Sequence, residues 1–141
     1  MQDSCCGDKK SCGQSAHTLH CVGRFLFAIP LLVFGVFHFL NGQSMVGMLA
    51  GWPFALFLVY VSGAGLILGA IALMLNRFAR LAAILLAVEI GLFVLTLHLP
   101  AMLAGGAGAQ MSMMSALKDL ALVGGALALA ASMTNRGFSA K

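Results

Sequence analysis

Four uninterrupted apolar runs constrain this chain more than anything else in it: residues 22–40, 53–75, 81–97 and 117–133. Each reaches or nears the ~20 residues that a helix rising about 1.5 Å per residue needs to cross a hydrocarbon core of about 30 Å. None shows the ~10-residue alternation of a membrane barrel, so helices are the predicted elements. A single domain of 141 residues, 61% hydrophobic and 9% charged, has too little interior to hide so many apolar side chains from water. The expected fold is therefore all-α, a four-transmembrane-helix bundle with the lipid bilayer as its solvent. Residues 1–21 read as a polar Cys/His-rich tail, 22–133 as the membrane domain and 134–141 as a short second tail.

The predicted loops are 41–52, 76–80 and 98–116, the last rich in Gly and Met. The first run does not read as a cleaved signal peptide. The polar stretch before it is long, it exceeds the usual run of about 7–15 residues, and no small-x-small site follows. An even number of spans puts both ends on one side. That side holds Lys9, Lys10, Arg24, Arg77, Arg80, Arg136 and Lys141, and the other holds Lys118 alone. The positive-inside rule then predicts cytoplasmic N and C termini for a multi-pass protein of a bacterial inner membrane. Trp52 falls where an outer aromatic anchor belongs. The formal charge of +4 comes from scattered cations, not a phosphate-tracking patch, which argues against nucleic acid.

Small residues recur at helical spacing. Ser62, Gly65, Gly69 and Ala72 form one stripe, and Ala121, Gly125, Ala128 and Ser132 another. Such stripes let helices approach closely, either within the bundle or across a homodimer face. Pro30 is expected to kink the first helix.

Ionisable groups inside lipid cost free energy, so each one needs a reason. Glu89 falls near the middle of the third run. It reads as a proton carrier, as a partner for a headgroup or cofactor, or as a protonated carboxyl tying two helices together. Toward the outer boundary His38 and Asn41 close the first helix, His98 precedes Pro100, Lys118 and Asp119 open the fourth helix, and Tyr60 lies in the outer third of the second. In one bundle these residues would line a shared pocket for a quinone-like or small redox substrate, since imidazoles exchange protons near neutral pH. The alternative is a set of interface residues solvated by headgroups. Glu89 and His98 face one pocket only if the helix unwinds before Pro100. Arg24 reads as a snorkelling anchor to headgroup phosphates or as a further cofactor contact.

The tail carries Cys5, Cys6, Cys12, His17, His20 and Cys21. Thiolates with imidazoles suit Cu or Zn, yet no Cys-x-x-Cys pair marks a structured zinc motif, and an unstructured tail is the alternative. Met45, Met48, Met102, Met111, Met113 and Met114 fall in the outer loops, as thioether ligands or as flexible apolar contacts. There is no phosphate-binding Gly loop, nucleophile elbow, haem-attachment motif or nucleotide fingerprint, so no intrinsic cofactor is expected.

Several short motifs occur together in order. Gly23-Arg24 opens a helix ending Gly35-Val36-Phe37-His38-Phe39; Tyr60-Val61-Ser62-Gly63 begins the second; Arg80-Leu81-Ala82-Ala83 begins the third, which His98 closes; Lys118-Asp119-Leu120-Ala121-Leu122 opens the fourth. Over residues 22–132 the chain resembles the DoxX family of small four-helix membrane proteins. The resemblance implies a membrane subunit of a thiol- or quinone-linked redox system, working with a redox partner protein. It implies roles for Arg24, His38, His98, Lys118 and Asp119. Relatives often carry an acidic residue in the second helix where this chain has Ala64-Gly65, and Glu89 is the candidate to replace it. The Cys-rich tail stands outside the family pattern. The second expectation is a soft-metal binding or transport protein using the tail and the external methionines.

Overall fold

A computed structural model describes residues 9–49 and 51–133, with side chains from Thr18 onward. Among these every regular element is helical: α1 (Lys9–Leu40), the short α2 (Gly42–Met45), a 3-10 turn (Val46–Leu49), α3 (Ala55–Leu75), α4 (Ala79–Phe93), a π turn (Val94–His98), α5 (Leu99–Leu103) and α6 (Ala109–Ser132). Four stretches are long and apolar enough to cross a membrane: Thr18–Leu40, Ala55–Leu75, Ala79–Leu103 and Ala109–Ser132. α1 packs on α3, α3 on α4 and α4 on α6, while α6 returns to touch α1 at only a few places. The α1–α6 seam is thus the thinnest joint of the bundle. The end holding the start of α1 and the finish of α6 is called the terminal end below, and the opposite one the loop end.

The helices outrun the apolar runs. α1 begins at Lys9, so residues 9–21 are helical and continuous with the first span. It also runs through Pro30 as a single helix, at the cost of one backbone hydrogen bond. α6 begins at Ala109, not 117, because Gln, Met, Ala and Leu are good helix formers even where Ser and Lys lower the hydropathy. Helical structure likewise continues past 97 to Leu103. The predicted 98–116 loop therefore shrinks to the residues around Gly105 and Gly106, both at positive φ. Met102, Met111, Met113 and Met114 project from helices, not from a loop.

The turn between α3 and α4 is short. Asn76 caps α3 in the left-handed region, where an Asn side chain is tolerated, and its N–H reaches back to Ala72 and Leu73. The most deeply buried side chains gather toward the terminal half: Ala28, Leu66, Ala70, Leu73, Ala83 and Leu86 pack together with Ala130 and Met133. Gly69 of the predicted α3 stripe faces α4, where a Cβ would stand 2.7 Å from the Leu86 side chain. That stripe therefore serves packing within the bundle. On the α6 stripe Gly125 meets the Phe27 ring, while Ala121 and Ala128 are exposed.

Candidate functional site at the loop end

Buried positions on α1 recur at alternating spacings of four and three: Arg24, Ala28, Leu31, Gly35 and His38. This spacing marks the narrow seam that α1 turns toward its neighbours in the bundle. The seam is apolar in its middle and carries a cation at one end and an imidazole at the other. His38 is only 8% exposed. It fits because α3 offers Gly63 opposite: a Cβ there would lie 2.6 Å from the His38 Cβ and 3.1 Å from the Gly35 carbonyl. A Cβ on Gly35 would in turn stand 2.8 Å from the Gly63 carbonyl, so the crossing needs both glycines.

The imidazole donates from Nδ1 to the Phe34 carbonyl at 2.8 Å. A carbonyl only accepts, so the proton sits on Nδ1, and in the neutral ring Nε2 keeps a lone pair. One face of the ring stacks on Phe93 of α4, with centroids 6.2 Å apart and planes 19° from parallel.

A second imidazole is delivered by the π turn. Pro100 has no N–H to give Thr96, and the Leu99 N–H bonds to Val94 five residues back. A π turn advances less per residue than an α turn, so His98 is rotated relative to the register that Glu89 sets. The helix thus departs from ideal geometry just before Pro100, and it carries His98 toward α6. His98 Nε2 donates to Asp119 Oδ2 at 3.0 Å. Asp119 Oδ1 faces Lys118 Nζ at 3.5 Å. Asp119 is 8% exposed, so its two carboxylate oxygens are divided between an imidazole and an ammonium in a low-dielectric setting. Lys118 reaches toward α1, its Nζ 5.1 Å from the centre of the Phe34 ring. That ring is 6.0 Å from His38. Phe34 therefore links the two imidazole groups: His38, Phe34, Lys118, Asp119 and His98 form one run of contacts across the α1–α6 seam.

The remaining predicted residues do not join this run. Glu89 lies about 13 Å along the axis from His98 and faces α3. Its carboxyl sits over Gly65, where a Cβ would be 2.8 Å from Oε2 and 3.0 Å from Oε1. It makes no hydrogen bond or ion pair with another described residue. Tyr60 turns the other way, stacked on Phe39 at 5.5 Å with its ring against Gly42. The side chain of Asn41 is exposed, and its carbonyl accepts from Ser44. Arg24 lies about 21 Å down α1 from His38, at the terminal end, and it is buried rather than snorkelling outward.

Of the proposed metal ligands, Cys5 and Cys6 lie outside the described residues, as do the side chains of Cys12 and His17. His20 donates from Nε2 to Ser132 Oγ of α6, at 3.1 Å. Cys21 sits half-buried on the next position of α1. Among the described residues no three His, Cys, Asp or Glu side chains converge to hold a metal ion.

Sequence reasoning missed Phe34, Phe93 and Gly63. Nothing marks Phe93 among the ten phenylalanines of the chain. Phe34 stands one helical turn before His38, and Gly63 closes the Tyr60-Val61-Ser62-Gly63 motif, so both signals were in view without a partner to interpret them. No family model, curated protein or solved structure matches this chain.

Proposed function

We propose that this chain is the membrane subunit of a thiol- or quinone-linked redox system of the DoxX type, and that its loop-end cluster binds a quinone headgroup. The single observation that carries the reading is the His98–Asp119–Lys118 arrangement, placed within the span-length helices and joined to His38 through Phe34. Two imidazole nitrogens, His38 Nε2 and His98 Nδ1, are left over once their ring partners are satisfied. A hydroquinone hydroxyl donates to such a nitrogen; a quinone carbonyl accepts from the Lys118 ammonium. Phe34 and Phe93 give the ring an apolar flank, and the thin α1–α6 seam gives its tail a way in from the bilayer.

When a hydroquinone is oxidised, its O–H bonds break, the protons pass to the two imidazoles, and the electron pair leaves to a redox partner protein. Asp119 orients His98 and stabilises it when it is charged. Members of the DoxX family often carry an acid on the second helix where this chain has Ala64-Gly65, and here the Glu89 carboxyl of the third helix sits over Gly65. In this reading Glu89 is a proton-bearing group one helical turn from Phe93, not a headgroup contact. The same reading keeps both termini cytoplasmic and the cluster toward the outer leaflet of a bacterial inner membrane, following the charge asymmetry.

The test is saturable binding of a short-chain benzoquinone to the purified full chain, followed by quenching of Trp52 or by calorimetry. His98→Gln is expected to weaken binding by about tenfold or more, the loss of one charge-assisted hydrogen bond. Non-saturable partitioning that every variant shares equally overturns the reading.

A further inference from the structure

Arg24 is the second polar position on the buried seam of α1, and it is 7% exposed. Its Nε has no hydrogen-bond partner and is the one buried side-chain nitrogen or oxygen of that kind among the described residues. Its guanidinium lies over the Phe25 ring at 5.9 Å. The carboxylates among residues with described side chains are Glu89, over Gly65, and Asp119, paired at the loop end. Neither forms an ion pair with Arg24.

A guanidinium carries five N–H donors in a planar fork and keeps its charge at any physiological pH. Keeping its Nε–H out of water with no acceptor is unfavourable, and unlike a carboxyl the group cannot escape by changing protonation. The acceptor must therefore come from outside the described residues. The position narrows its chemistry. Arg24 lies between the two places where the terminal half of α1 meets α6: the hydrogen bond from His20 to Ser132 one turn before it, and Phe27 against Gly125 just after it. It also follows the α1–α6 seam, where the two helices touch at only a few places. Arg77 and Arg80 are exposed at the same end and add positive field. A tetrahedral oxyanion offers the fork two parallel acceptors, which a lone carbonyl does not.

We propose that Arg24 is the base of an internal phosphate-binding site, at which a phosphate group enters through the terminal half of the α1–α6 seam and accepts from the guanidinium. The site is separate from the loop-end cluster and does not depend on what that cluster binds. It differs from a peripheral anchor because the cation stays within the bundle and the anion comes to it.

Native mass spectrometry of the full chain in mild detergent tests this with three probes: phosphatidylglycerol, the diacylglycerol with the same acyl chains, and inorganic phosphate. The expected result is retention of phosphatidylglycerol at least about tenfold tighter than diacylglycerol, weakened by about tenfold in Arg24→Gln and by less in Arg24→Lys, which keeps the charge and loses the fork. Arg24-dependent binding of inorganic phosphate, with phosphatidylglycerol bound no better than diacylglycerol, assigns the same site to free phosphate. Equal retention of phosphatidylglycerol and diacylglycerol with no inorganic phosphate bound overturns the proposal. So does binding unchanged in Arg24→Gln. If Arg24→Gln does not purify as a folded protein, wild type and Arg24→Lys decide: failure of inorganic phosphate to compete, together with equal affinity of the two proteins, overturns it.

Discussion

The two halves of this bundle are built from different materials. Toward the terminal end, Ala28, Leu66, Ala70, Leu73, Ala83 and Leu86 interlock with small side chains that let the helices approach closely. At the loop end the same helices meet through Phe34, Phe93 and His38, and through the His98–Asp119–Lys118 group. One half is held by close packing, which in lipid does the work that water exclusion does in a soluble core. The other is held by a few directional polar contacts, and such contacts leave unused donors and acceptors. The difference teaches where to look for chemistry in a chain without cofactor motifs. The packed half fixes helix positions, and the polar half inherits that rigidity as preorganisation. Substitutions in the first should change stability and spare binding, and those in the second should do the reverse.

The largest stability effect is expected from Leu86→Ala, a fully buried side chain of the packed half. A loss of about 3 kcal/mol is expected from the cavity left behind, read by reversible denaturation in detergent, with quinone affinity per folded molecule unchanged. Gly63→Ala comes next and breaks the division on purpose. The added methyl collides with the His38 Cβ, so about 2 kcal/mol of stability and most quinone binding should go together. Asp119→Asn sharpens the contrast. It keeps the shape but removes the charge that His98 and Lys118 share, for a stability loss of about 1–2 kcal/mol. Its larger effect is a fall in quinone affinity of about tenfold, seen in the same titration. Lys118→Met should change stability by less than about 0.5 kcal/mol, since Lys118 is 55% exposed on its side chain. Its effect on quinone affinity should still be measurable. Smallest of all is Glu89→Gln, which preserves the contact with Gly65 and should leave both stability and affinity within error. A large loss of affinity in that variant would place the carboxyl in the headgroup site after all.

The spans were legible from the sequence because lipid imposes a length and an apolar composition that few other constraints imitate. Their ends were less so. Ala109 to Ala116 is polar enough to escape a hydropathy reading, yet its residues are good helix formers and extend α6 by two turns. His38, His98, Lys118 and Asp119 stood out because ionisable side chains in an apolar chain are few. Their neighbours did not, because Phe34 and Phe93 look like any other lipid-facing aromatic until the helices are assembled. Depth alone grouped Tyr60 and Asn41 with the histidines. The side each faces depends on helix rotation, and a run that is apolar all round carries little signal of rotation. The same ambiguity hid that Arg24 points inward. For His98 the rotation depended on a π turn, whose cause, Pro100, was in plain view two residues further on.

The claim that most needs a direct measurement is that His38 and His98 belong to one site. Nitrogen-15 spectra of the histidine rings in lipid report it without any functional assay. The account predicts opposite tautomers in the neutral rings, with the proton on Nδ1 of His38 and on Nε2 of His98. Adding a short-chain hydroquinone should then shift the other nitrogen of both rings while His20 stays fixed. Two rings of the same tautomer, or a response from only one of them, would contradict it.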